Sequence, residues 1–498
     1  MYRSRPKGPL HKDMLDFLSS IGDDDEVFLY DLLGSQAHVL MLNDIGLLAH
    51  DETKAILTTL DQFKHQPELL DTQNAEDIHE AIESTLIKQI GMEIGGKMQI
   101  GRSRNDQVIL DILMKVRDDI NTICDSLLIL IQSLLEKADE NVHTVMPLYT
   151  HLKQAQIGSY SHFILSYVDS LFRDMERLYA CYDRINRSPL GAGAVGGSRI
   201  LLDRVKTSKL LGFSSVIENS IDATSSRDVV IEYASNLVLI MLTLSRMAED
   251  FIIWSTDEFA FIEISDEYSS SSSSMPQKKN PDPLELLRGK SGQVLGDLFA
   301  MTSIIKSIPS GYSRDLQELK PCIWHIASTT NESLKVLTYV VKTITVNKGR
   351  MLEACNNSYA LSFDIAELLS LKYGIAFRTA HKIMGLLVQR AALRNKQPLR
   401  MVSKEDIQEV LEETGCVVNA EEVLNEIKGM TPTLSISSRQ SVGSPNPKQV
   451  QGRVKLLRVR ALEYNERISS RKKSVHEAFQ RLALLVKKYS GNDLGGIK

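Results

Sequence analysis

The chain has 498 residues, 43% hydrophobic and 24% charged, which is an ordinary balance for a soluble globular protein and too long for one core, so two or three domains are expected. A net charge of −5 leaves no basic footprint and argues against a nucleic-acid binder. The five cysteines (Cys124, Cys181, Cys322, Cys355 and Cys416) are odd in number and show no CxxC or mixed Cys/His spacing, so neither a disulfide frame nor a metal centre is suggested and a cytoplasmic setting fits.

The first residues, Met1 to Asp13, are polar, carry Arg3, Arg5, Lys7 and Lys12, and lack the apolar core of a signal peptide. Residues 1–105 hold short helical patterns broken at Gly22, Gly34, Pro67 and Gly91, and read as an N-terminal, mainly helical domain. From Val108 to Glu136 apolar residues recur every three or four positions, which puts one stripe along a long helix. The stretch between Pro147 and Pro189, then Asp228–Trp254, Leu284–Ser307 and Thr329–Leu352, read the same way. Residues 106–350 are therefore expected to form a central long-helix bundle. The apolar run Tyr233–Trp254 is interrupted by Asn236, Arg246, Glu249 and Asp250, which argues against a membrane span. Runs such as Leu237-Val238-Leu239-Ile240 are apolar on more than one side and need cover from another subunit, so an oligomer is expected. Residues 351–498 read as a C-terminal helical domain, with a loop near Ser441–Pro447 and a basic amphipathic helix from about Lys448 to Leu485. Strand signals are weak; at most a few short hairpins near Ser198–Leu202 are expected.

Three polar segments interrupt this pattern. Ser271-Ser272-Ser273-Ser274-Met275-Pro276-Gln277-Lys278-Lys279-Asn280-Pro281-Asp282 suits neither helix nor strand, because the hydroxyls compete for backbone hydrogen bonds and the prolines remove donors. A polar, cationic loop between long helices is a place for chemistry. Gly101-Arg102-Ser103-Arg104-Asn105-Asp106-Gln107 sets two arginines, suited to binding carboxylates, at the start of a long helix. Its plainer reading is a helix cap. Thr150-His151 offers a group for proton transfer, although a single histidine at a helix start is more often a cap or a core residue.

The serine loop resembles the Gly-Ser-Ser-x-Met-Pro-x-Lys-x-Asn signature of the fumarase/aspartase superfamily, with Ser271 in place of the glycine. Its Gln-Lys-Lys-Asn-Pro-Asp ending resembles the argininosuccinate lyase family in particular, as does Gly-Arg-Ser-Arg-Asn-Asp-Gln, although Gln99 and Ile100 stand where that family has His-Thr. Thr150-His151 resembles the superfamily's Thr-His motif, with Lys153 and Ile157 as departures. Glu76-Asp77-Ile78-His79, the segment Tyr312 to Lys320, Pro189 to Ala194 and Asn219 to Ala223 match further family stretches, and Ser20 falls where the family has a substrate-contacting serine. The resemblance runs from about Ser20 to about Val454.

This resemblance implies an all-α, three-domain lyase fold whose tetramer holds a core of about twenty helices, with each site built from three subunits of a homotetramer. It implies β-elimination of argininosuccinate to arginine and fumarate, with no cofactor or metal, no nucleic acid and no membrane. Ser272 would be the base, His151 the acid, Lys278 and Asn280 the stabilisers of developing charge, and Glu285 the group that orients His151. Arg102, Ser103, Arg104, Asn105, Thr150 and His79 would bind the substrate, and Ser20, Tyr312, Gln317 and Lys320 would complete its pocket. The alternatives are another fumarate-releasing lyase, such as an adenylosuccinate lyase, and a catalytically silent scaffold protein. The first usually carries another residue at Lys279 in the loop. The second is opposed by Ser272, Lys278, Asn280 and His151 together.

Overall fold

The computed structural model describes residues 11–490. The architecture is helical, and among the described residues each of the four sheets has only two strands. Five long helices form the bundle: Arg104–Glu140, Tyr160–Ile185, Asp228–Ser255, Asp282–Ile305 and Leu319–Thr343, called here the first to fifth rods. The first three contain neither glycine nor proline, so nothing interrupts their hydrogen-bond ladders. Each rod packs against the next, and the fifth returns to the first. The chain thus runs up and down, and its connections collect at two opposite ends. At 1.5 Å per residue the first rod is about 55 Å long, so those ends lie far apart.

The core runs along the shared faces through residues such as Ile120, Leu127, Leu171, Leu237, Leu244 and Leu334, all buried. Other positions on the rods are left uncovered: Leu286, Leu295 and Phe299 on the fourth, and Tyr339 on the fifth. On the fourth rod a Cβ at Gly289, Gly292 or Gly296 would meet nothing within 4 Å, so this helix presents a smooth, partly apolar face. Among the described residues no helix is long and apolar enough to cross a membrane.

A second, separate core lies between Ile365 and Met430. The last helix, Pro447–Ser490, does not join it. It runs back along the first rod and against the helices Phe28–Asp44 and His50–His65. Part of the basic pattern of this helix is used here: Arg453 pairs with Asp169, Arg458 with Asp139, Arg460 with Glu176 and Lys472 with Asp125. Arg471 lies over the Tyr179 ring at 3.1 Å from its centre.

Three expectations are corrected. Residues 198–202 form no strand; a hairpin forms instead before the second rod, Val145–Thr150 with Lys153–Ser159, antiparallel, where a helical pattern is expected. The second rod therefore begins only at Tyr160. The fifth rod spans Leu319–Thr343 rather than Thr329–Leu352, because Pro321 sits in its first turn, where a missing N–H costs nothing. Ile344 then leaves the helix and Asn347 caps a new one, Lys348–Asn356.

Candidate functional site

One group of polar side chains forms at the N-terminal end of the first rod. Ser103 caps the helix: its hydroxyl accepts from Asn105 N (3.3 Å), and Asp106 Oδ1 accepts from Ser103 N (3.0 Å). The other oxygen of Asp106 accepts from Gly191 N (3.0 Å) and Gly193 N (2.8 Å). Both glycines have positive φ, and a Cβ on Gly193 would lie 2.9 Å from the Gly197 carbonyl, so this loop needs glycine. Asn105 Nδ2 donates to the Ala194 carbonyl (3.0 Å), and thus the loop and the helix start brace each other.

Arg104, one-third exposed, faces Asp77 at 3.2 Å and Glu83 at 3.7 Å. Tyr312 lies in the same charged surroundings. Burial pushes its hydroxyl pKa up, against the pull of the Arg227, Arg314 and Arg104 guanidinium groups, so it stays a protonated donor. Lys320 is buried and donates to Ser20 Oγ (2.9 Å) and to Asp24. Asp24 also accepts from Ser20 Oγ (2.9 Å) and from Ile78 N (3.1 Å). Gln317 Nε2 donates to the Leu18 carbonyl (3.2 Å), and Arg314 joins Glu76 (2.8 Å) to the same carbonyl (2.8 Å). Ser20, Ser103, Arg104, Asn105, Tyr312, Gln317 and Lys320 are thus all fixed at one end of the bundle. Asp77 belongs to the Glu76–His79 match, whereas Asp24 and Glu83 were not singled out in the sequence; the one available signal for Asp24 was its place four residues after Ser20.

Two further expected site residues, like Ser20 and Lys320, are buried. Arg102 is buried, with Nε donating to Gln99 Oε1 (3.0 Å) and Nη1 to Ser35 Oγ (3.1 Å). His79 is 2% exposed, with Nδ1 3.1 Å from Asp31 and 3.5 Å from Asp111. Burial alone would lower the His79 pKa, but the Asp31 carboxylate outweighs it and the value is raised. Burial likewise works against ionised Asp31, yet His79 holds it below the usual carboxylate range. Asp31, His79 and Asp111 are the one group among the described residues whose ligand atoms could converge on a metal ion. Arg102 interacts electrostatically with both acids and already supplies positive charge there, which opposes a second cation.

The remaining expected residues lie at the opposite end. Thr150 closes the first strand of the hairpin, and His151 and Leu152 form its two-residue tip. Both tip residues have positive φ (53° and 55°), a conformation that costs a non-glycine residue about 1–2 kcal/mol. His151 is therefore exposed on a tight turn and does not cap a helix. Strain of this kind is kept where it serves function.

The serine loop is pinched at its neck into two short antiparallel strands, Ser270–Ser271 and Lys279–Asn280. Ser271 is thus extended, and no glycine is needed at this position. The neck is fastened twice: Ser270 Oγ bonds Asp282, and Lys279 reaches Asp266 (2.8 Å) and Glu263 (3.4 Å). At the tip, Ser272 Oγ accepts from Met275 N (3.1 Å) and Ser274 N (3.4 Å). These two N–H dipoles point at the one hydroxyl that would carry negative charge as an alkoxide. Lys278, Lys279, Asn280, Glu285, Asn347 and Lys348 line a cavity of about 920 Å³ beneath the loop. Glu285 lies in the first turn of the fourth rod and makes no hydrogen bond or ion pair with His151 of the same chain.

An all-α rod bundle with this loop and two polar ends defines a lyase of the fumarase/aspartase type. A "Lyase" family model matches residues 16–296, and an "Argininosuccinate lyase C-terminal" model matches residues 359–427, almost the extent of the second core. A crystal structure of EDDS lyase in complex with formate superposes with a TM-score of 0.85 at 28% identity, covering 99% of this chain and 98% of that one. The class II fumarase of Schistosoma mansoni shares the fold, with a TM-score of 0.69 at 16% identity over 86% of this chain and 96% of its own. The argininosuccinate lyase of Nitrosopumilus maritimus is 49% identical over 89% of this chain and 90% of its own length. That of Methanocaldococcus jannaschii is 37% identical over 95% and 97%. The chain belongs to the argininosuccinate lyase family.

Proposed function

We propose that this protein catalyses the reversible β-elimination of argininosuccinate to arginine and fumarate, as a step of arginine biosynthesis. The observation that carries this reading is the polar cluster at the start of the first rod. There Arg104, paired with Asp77 and acting electrostatically on Tyr312, lies at the same end of the bundle as Ser103, Asn105, Gln317 and the Lys320–Ser20 pair, which suits a substrate bearing carboxylates and an amino-acid end.

The chemistry follows from the residues. Ser272, as the alkoxide, removes the proton from the carbon beside a succinyl carboxylate. The electron pair moves onto that carboxylate, and Lys278 and Asn280 stabilise the resulting dianion. The pair held on the carboxylate then returns to form the double bond of fumarate, the carbon–nitrogen bond breaks with its electrons leaving on the guanidino nitrogen, and His151 delivers a proton to that nitrogen. Atoms and charges balance without a cofactor. A serine hydroxyl is a poor base in water; the Ser274 and Met275 N–H groups and the Lys278 cation favour its ionised form, and their effect is stronger once solvent is excluded. Thr150 and the Ser103–Asn105 segment bind carboxylates, and Glu285 of one subunit orients His151 of another. Arg102 and His79 act from behind, by holding the segment that carries Arg104.

The serine loop and the Arg104 cluster sit at opposite ends of rods about 36–55 Å long, so one chain cannot close a site. We infer a homotetramer with shared sites, its core of about twenty helices made by the rods of four subunits. The uncovered Leu286, Leu295 and Phe299 and the open glycine face of the fourth rod support it. The five free cysteines suit the cytoplasm. The test is fumarate release by the purified protein with argininosuccinate and adenylosuccinate offered in parallel. Release from argininosuccinate alone fixes reaction and substrate; release from neither by a folded tetramer would leave a silent scaffold.

A further inference from the structure

The segment before Arg102 departs from its family at Gln99, and the structure gives this residue a place. Its amide is used on both sides. Oε1 accepts from Arg102 Nε (3.0 Å), while Nε2 donates to Glu83 Oε2 (3.3 Å) and Gln107 Oε1 (3.4 Å). Beyond these partners, Glu83 faces Arg104 (3.7 Å), and Gln107 Nε2 donates to Asp31 Oδ1 (3.0 Å), which pairs with His79. A continuous polar chain therefore runs from partly exposed Arg104 through Glu83, Gln99 and Gln107 to the buried Asp31–His79 pair. Gln99 is the joint at which it branches to Arg102. We propose that Gln99 is a positioning residue: it holds Glu83, and through Glu83 the Arg104 guanidinium, in the attitude that receives a substrate carboxylate. This rests on the functional reading above and deepens it.

The physical case is one of competition. In the absence of substrate, Arg104 is shared between Asp77 and Glu83. A substrate carboxylate has to draw it from both. A Glu83 restrained by Gln99 keeps a fixed, longer contact with Arg104; released, it would close on Arg104 and compete more strongly. An amide suits this joint because it accepts and donates at once and carries no charge at any pH. The charged groups facing the joint are Glu83 and Glu80 on the helix Ile78–Ile90, Arg102 and Arg104 at the start of the first rod, and Asp31 on the helix Phe28–Asp44. Lys97, two residues earlier, is engaged by Glu52.

The test measures KM and kcat for argininosuccinate from pH 6 to 9 in the wild type, Gln99→Leu and Gln99→His. Gln99→Leu removes all three hydrogen bonds at similar volume, and its KM should rise about tenfold with kcat within about twofold, as for loss of binding shared by ground and transition states. Gln99→His can bridge Arg102 and Glu83 while neutral. Its KM should stay near wild type at pH 9 and rise as the imidazole gains a proton, which ends acceptance from Arg102 and adds charge beside two arginines. The wild-type KM should not share that dependence. An unchanged KM in Gln99→Leu, or a pH-independent KM in Gln99→His, would overturn the proposal. Gln99→His keeps the question open to test should Gln99→Leu fail to fold. A wild type that releases no fumarate would overturn the functional reading and this inference with it, whereas an active wild type with insensitive variants would overturn the inference alone.

Discussion

Replacing Asp106 by alanine is the perturbation whose effect the structure defines most fully. The carboxylate is completely buried and accepts three backbone hydrogen bonds, from Ser103, Gly191 and Gly193. Alanine removes every acceptor and leaves three N–H groups without partners. Each buried orphan donor costs about 1–3 kcal/mol, and a lost helix cap about 1 kcal/mol. These losses overlap, and water can reach part of a helix end, so a total of about 3 kcal/mol is expected, with Asp106→Asn losing roughly half of that because one oxygen remains. The loop from Pro189 to Ala194 would loosen and Asn105 would lose its anchor on the Ala194 carbonyl, so KM should rise as well. Urea unfolding followed by circular dichroism, at one fixed protein concentration because subunits are coupled, measures the first effect. An Asp106→Ala protein within about 1 kcal/mol of wild type would refute the reasoning, since it would mean the three donors find other partners at little cost.

Other expectations follow from the same geometry. Ser272→Ala should abolish fumarate release while the oligomer, read by light scattering, stays intact; retained turnover would remove Ser272 as the base. His151→Asn should lower turnover about 10²–10⁴-fold, as expected of a general acid, and an unchanged rate would remove it from that role. The Asp31–His79 pair gives a pH signature. His79 has a raised folded-state pKa, so its contribution is full below its ordinary value and fades as pH rises through the raised one. Asp31 has a lowered value, so its contribution is present above the ordinary carboxylate range and is lost only in stronger acid. His79→Gln should therefore cost up to about 3 kcal/mol near pH 6, and the gap to wild type should narrow towards pH 9. A gap that is flat or widens with pH would contradict the ion pair.

The first three rods were legible because a 3.6-residue apolar period in segments free of glycine and proline leaves few alternatives to a helix. The hairpin was not, because its His151-Leu152 tip carries neither the glycine nor the asparagine that announces a two-residue turn, and its strands alternate poorly. The fifth rod was read late because Pro321 looks like a break, yet it occupies a first-turn position. Motifs gave the site residues their types but not their surroundings. Lys320 reaches Asp24 across 296 positions of chain, and no local pattern encodes such a partner. For the same reason the motifs did not show that Arg102 and His79 are buried beside Ser35 and Asp31.

The central claim is that the serine loop of one subunit works with the Lys320 and Arg104 cluster of another. It is tested most directly by co-expressing Ser272→Ala with Lys320→Met, each inactive alone, and assaying the mixed tetramers for fumarate release from argininosuccinate. Random mixing leaves about one quarter of the sites with both an intact loop and an intact cluster, so activity should return to about a quarter of wild type. Mixed tetramers that remain as inactive as either parent would contradict the account.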